Sequence, residues 1–125
     1  GHVLEVEQDS GVKICYIYGY NKTQPIAKIE NATYSSIESQ ATNLQTISNS
    51  GSEAELITAL SELRNSLPNA MVTTYTYIPL IGVSTITDPK GDKITYFYDS
   101  FGRLQTVKDK EGNVLSENQY NYRPN

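Results

Sequence analysis

The chain has 125 residues, with 14 acidic and 10 basic side chains, a net charge of -4 and a pI near 4.9. That balance offers no concentrated basic face, which argues against nucleic acid as a partner. No apolar run approaches the roughly 18 residues of a spanning helix, and the start "GHVLEVEQDS" shows no leader, so any export signal is expected outside this stretch. With one cysteine, Cys15, and one histidine, His2, neither an internal disulfide nor a Cys/His zinc site can form.

Read in order, residues 1–32 form a first β-repeat. Val3 to Glu7 alternates, and Tyr16, Tyr18 and Tyr20 recur at period two, which places them on one face of a strand. Cys15, between Ile14 and Tyr16, is expected to be a buried strand residue. In 33–69 the period changes: Tyr34, Ile37, Ala41, Leu44 and Ile47, then Leu56, Leu60, Leu63 and Leu67, recur at three and four. Two amphipathic helices result, separated by "SNSGS", with Thr33 as the first N-cap, Ser52 and Glu55 as a capping box, and Pro68 closing the second. From 70 to 125 period two returns in Tyr75/Tyr77, Tyr96/Tyr98 and Tyr120/Tyr122, a β-meander. The expected fold is α+β, mainly β: a single domain (1–125) with a twisted antiparallel sheet of about six to eight strands and an inserted helical hairpin on one face.

An internal repeat underlies the meander. Laying 75–95 over 96–116 matches Tyr75 to Tyr96, Tyr77 to Tyr98, Val83 to Leu104, Ile86 to Val107, Asp88 to Asp109 and Gly91 to Gly112. The opening "GHVLEV" matches "GNVLSE", which would start the first unit at a turn glycine, Gly1, and leave Val3–Glu7 without its partner strand. "DPKG", "DSFG" and "DKEG" read as turns with Asp first and a left-handed Gly last, so Gly102 is expected at positive φ.

No reaction centre emerges. Asp88, Asp99 and Asp109 take equivalent turn positions and are spread along the sheet instead of converging as an acid/base pair. The calcium-loop spacing is missing, a serine triad would need the terminal His2, and neither phosphate-binding glycine motif occurs. "NKT" at Asn21 and "NAT" at Asn31 fit the glycosylation pattern at chance frequency. The expectation is therefore no catalytic residue, no metal and no cofactor. The tyrosines have two readings: cross-strand packing, or a stacking platform for carbohydrate built from Tyr16, Tyr18, Tyr96 and Tyr98. Val3–Glu7 would also be an exposed edge, shielded in part by Glu5 and Glu7 and open to an edge-strand homodimer.

"YFYDSFGRLQTVKDKEGNVL" closely resembles the YD repeat of the RHS family. Tyr96, Tyr98, Asp99, Gly102, Arg103, Leu104, Val107, Asp109 and Gly112 fill its pattern. The unit from Tyr75 is degenerate, with Ile78 for the Asp and Ile81-Gly82 for Gly-Arg; "YNYRPN" begins another, with Arg123 for the Asp. "PIAKIENATY" and "LPNAMVTTYTYIPLIGVSTITDPKG" look like the C-terminal region of large RHS-repeat proteins of the Bacteroidetes. The resemblance implies β-hairpins joined in a spiralling sheet, secretion or cell-surface display, and a non-enzymatic structural or interaction role beside preceding repeats. A share in a toxin-enclosing shell is the more distant implication.

Overall fold

A computed structural model of the chain describes residues 3–118. Its strands are β1 (Val3–Glu7), β2 (Lys13–Gly19), β3 (Gln24–Glu30), β4 (Met71–Ile78), β5 (Gly82–Thr87), β6 (Lys93–Tyr98), β7 (Leu104–Lys108) and β8 (Val114–Glu117); the helices are α1 (Tyr34–Ser50) and α2 (Glu53–Ser66). All eight strands form one open antiparallel sheet in the order β1 to β8, each paired with its sequence neighbour. The mainly β α+β architecture expected from the alternation of periods is therefore present. Tyr120, Tyr122, Arg123, Gly1 and His2 lie outside the described residues.

The helices cover one face over β1 to β4 and stop at the border with β5. Cys15 and Ile17 of β2 stand opposite Ile29 and Ala27 of β3, and these stand opposite Val72 and Thr74 of β4. This row meets Ile37, Ala41 and Leu44 of α1 and Leu56, Leu60 and Leu63 of α2 in the core, all at 2% exposure or less except Thr74 at 3%. Burying a side chain of this size contributes about 1.5–3 kcal/mol, so this row and these helix stripes supply most of the fold's cohesion. Across β5 to β7 the same face changes to a mainly polar row of Thr85, Thr87, Lys93, Thr95, Thr106 and Lys108, with Phe97 its one aromatic, under the Lys108 ammonium. A polar row needs no cover, and the helices end there: Arg64, in the last turn of α2, reaches the β4–β5 border, its Nη2 donating to Thr74 Oγ1 at 2.9 Å.

The helix ends follow local chemistry, with one correction. Ser52 and Glu55 form the capping box. Thr33 is the N-cap of α1, but its side chain accepts no capping bond; the first helical N–H, of Tyr34, donates to Glu5 Oε2 on β1 at 2.7 Å. Glu5 therefore ties the edge strand to the helix as well as charging it. Tyr34 itself is exposed, and Gln45, which the apolar period passes over, is buried, with Nε2 donating to Tyr18 O at 2.7 Å. Gly19 is required where β2 meets α1, because an added Cβ would lie 2.6 Å from Ser48 Oγ.

The first unit begins elsewhere than the match of "GHVLEV" to "GNVLSE" suggests. Gly11 N donates to Gln8 O and Gln8 N to Val12 O, with Gly11 at φ +83°, the same turn as Asp88–Asp92, Asp99–Arg103 and Asp109–Asn113. Val3, Val6, Gln8 and Gly11 thus correspond to Leu104, Val107, Asp109 and Gly112, and β1 is the second strand of a unit. Gln8 in place of Asp hid the turn from pattern reading. The helical insert occupies the matching turn between β3 and β4: Glu30 still pairs with Met71, and Asn31 Nδ2 donates to Asn69 O at 3.1 Å across the neck.

Candidate functional site

The complete motif is a self-supporting turn. Asp99 Oδ1 accepts from Phe101 N at 2.8 Å and Arg103 N at 3.0 Å, while Oδ2 accepts from Arg103 Nε at 2.9 Å. Gly102 sits at φ +77°, the left-handed region the turn demands. The Arg103 and Phe101 N–H groups, with the Arg103 guanidinium, hold the Asp99 carboxyl below the usual carboxylate range. Asp109 is held down in the same way, first by Asn113 N. These carboxylates serve their own turns, and Leu104 and Val107 continue the strand opposite Tyr98 and Tyr96.

The three hairpins that open on a Tyr-x-Tyr strand, β2–β3, β4–β5 and β6–β7, carry the same irregularity. Tyr18, Tyr77 and Tyr98 stand opposite Pro25, Val83 and Leu104, with Ile26, Ser84 and Gln105 as the extra residue of a bulge. The second tyrosine then reaches back one unit: Tyr77 Oη donates to Pro25 O and Tyr98 Oη to Val83 O, both at 2.7 Å. Burial, with the phenols of Tyr75, Tyr20 and Tyr18 nearby, pushes the Tyr77 hydroxyl up to about 12.

Among the tyrosines named for a carbohydrate platform, Tyr16 and Tyr18 lie on β2, and Tyr96 and Tyr98 on β6. All four are half-buried. Tyr16 and Tyr96 alternate with the helix-facing rows, so they belong to the face opposite the helices. Four strand spacings, about 19 Å, separate β2 from β6. They do not converge on one pocket.

A different place does form a hollow. A cleft of about 820 Å³ opens between the β2–β3 turn, the α1–α2 junction and the β4–β5 turn. Tyr20 and Tyr77 meet edge to face in its wall at 5.4 Å, and Tyr77 N donates to Tyr20 Oη at 3.0 Å. Glu53 borders it, its Oε1 accepting from Thr76 Oγ1 at 2.8 Å. Pro79, Leu80 and Ile81 form an exposed lip, with Leu80 wholly exposed. Pattern reading missed this site, since its walls come from segments far apart in sequence; the apolar tip "PLI" where the motif has "SFG" is the one signal it left.

Among the described residues no group of three or more His, Cys, Asp or Glu could hold a metal ion. Cys15 is buried, donating to Ala32 O at 3.3 Å, and burial with the nearby Glu5 carboxylate pushes its thiol up, which disfavours the reactive thiolate. Among the described residues no helix is long and apolar enough to cross a membrane.

Residues 82–114 match the RHS Repeat family model, a span that includes β5 to β7 and the turns at Asp88, Asp99 and Asp109. The match supports membership of the RHS/YD-repeat family. No curated protein and no solved structure matches the chain at a significant level.

Proposed function

We propose that the chain is a non-enzymatic structural module of a secreted or cell-surface RHS-repeat protein, extending a sheet unit by unit and bearing the helical pair on one face. RHS repeats suggest a structural or interaction role and association with further repeats, and they occur in secreted and cell-surface proteins. The observation that carries the reading is the bond from the second tyrosine to the preceding unit, made identically by Tyr77 and Tyr98. A bond that recurs between units is a device for joining units. On this reading 1–125 is one domain, in which 33–69 is an insert between β-repeats 1–32 and 70–125, and it belongs to the C-terminal region of a large protein of the Bacteroidetes type.

The partner surface is β1, the second strand of a unit, whose outer edge awaits a Tyr-x-Tyr first strand. The test is a chimera with a copy of 93–103 joined ahead of Val3. It should raise the thermal midpoint and protect the outward amides of β1 from hydrogen exchange. Unprotected amides and an unchanged midpoint would overturn the sheet-extending role. In the unextended chain the same edge is free to pair with a second copy, and sedimentation at increasing concentration would show a dimer.

A further inference from the structure

Among the described residues the two large apolar side chains most open to solvent are Leu80, wholly exposed, and Phe101, at 73%. Apolar side chains scattered singly over a surface are ordinary. These two share a place. They sit at the tips of neighbouring hairpins, β4–β5 and β6–β7, so the meander carries both to one end of the sheet, two strand spacings or about 10 Å apart. Pro79 and Ile81 flank Leu80 and are exposed with it. The Arg103 guanidinium lies 5.3 Å from the Phe101 ring and still leaves that ring largely open.

Folding asks for neither side chain. Phe101 is the third residue of its turn, and the turns at the opposite end of the sheet hold Ser10, Lys90 and Glu111 at that position. What the turn uses there is the N–H, which Asp88, Asp99 and Asp109 accept alike from Lys90, Phe101 and Glu111. Leu80 stands at φ +65°, a region that glycine or asparagine enters more cheaply. A wholly exposed side chain returns nothing to the core for that strain.

Charge at the turns follows the same division. Turns 8–12, 88–92 and 109–113 carry Asp9, Asp88, Asp92, Asp109 and Glu111 against Lys90 and Lys110. At the apolar end residues 79–81 are uncharged, Asp99 is paired with Arg103 at 2.9 Å, and the β2–β3 turn adds Lys22. The nearest carboxylates, Glu53 and Glu55 at the start of α2, accept from Thr76 Oγ1 and Ser52 N. An ordinary protein partner covers a continuous area of about 800 Å² on each side. Separate projecting side chains with polar backbone between them offer no such area, whereas a fluid apolar phase closes around each one.

We infer that this end of the sheet docks on a lipid bilayer, with Leu80, Ile81 and Phe101 entering the boundary between headgroups and acyl chains and Lys22 lying among the headgroups. This goes beyond the joining role and does not depend on it. The chain has no tryptophan, so Leu80→Trp and Phe101→Trp each report their own surroundings. With phosphatidylcholine vesicles, alone or mixed with phosphatidylglycerol, both should show a saturable blue shift and quenching by brominated acyl chains. Lys90→Trp, at the opposite end, should show neither. The double variant Leu80→Ser with Phe101→Ser should weaken flotation with phosphatidylcholine vesicles at least tenfold and keep the thermal midpoint, since neither side chain is buried. The proposal is overturned if neither tip tryptophan shifts at about 5 mM lipid, if Lys90→Trp shifts equally, or if the serine variant floats as the parent does. Binding confined to vesicles with phosphatidylglycerol would assign it to charge and overturn the role of the tips. A blue shift that grows with protein concentration in the absence of vesicles would make a second copy the occupant and overturn it as well.

Discussion

Asp99 and Gly102 divide the work of one turn: the carboxylate gathers two N–H groups and Gly102 supplies the left-handed step. A Cβ on Gly102 would meet nothing within 4 Å, so Gly102→Ala tests backbone strain alone. We expect a loss of about 1–2 kcal/mol in urea denaturation; a loss near zero would mean the turn relaxes. Asp99 and Asp109 have folded pKa values below the ordinary range. Their contribution is therefore complete above the unfolded value of about 3.9 and lost as pH falls through the folded values. Asp99→Asn with Asp109→Asn keeps an oxygen acceptor in each turn and removes the titration. The double variant should show a shallower fall in urea midpoint between pH 5 and pH 2 than the parent, and parallel profiles would contradict the assignment. At the other extreme, the raised Tyr77 hydroxyl makes its contribution complete below about pH 10 and lost as pH rises toward 12, which absorbance near 295 nm would follow.

Between elements the economical contacts are few. Ser52→Ala removes one half of the capping box and should cost about 1 kcal/mol. Glu5→Ala should cost a similar amount by leaving Tyr34 N unbound, and Glu5→Gln should recover most of it through an amide oxygen in the same place. Failure of the glutamine to recover anything would assign the effect to the Lys13 ion pair, 3.7 Å away. Much at this scale was legible beforehand. The helices, their junction and the capping box follow from spacing and from Ser52 and Glu55, because such signals are local. The Glu5 cap, the buried Gln45 and the Tyr77–Pro25 bond were not, because each joins residues more than 25 positions apart and leaves no period behind.

For the molecule as a whole, the helices mark which stretch of sheet has an apolar second face. Leu60→Ala, at the contact of α2 with the sheet, should cost about 2–5 kcal/mol and loosen both helices, whereas Thr95→Ala beyond their reach should change little. The two faces could be assigned from alternation, but which one the helices chose could not: the tyrosine ladder and the Cys15–Ile17–Ile29 row are both apolar enough to attract a stripe. The placement of the insert at a turn has a kinetic side. Every other strand of this sheet meets its partner across a handful of residues, so those hairpins can zip locally. β3 and β4 must close a connection of roughly 40 residues, about three doublings longer, which adds near 2 kcal/mol of closure entropy. That junction is the seam of the folding reaction: it forms only as α1 and α2 dock, and substitutions in their interface should slow folding while those in the 99–103 turn chiefly speed unfolding.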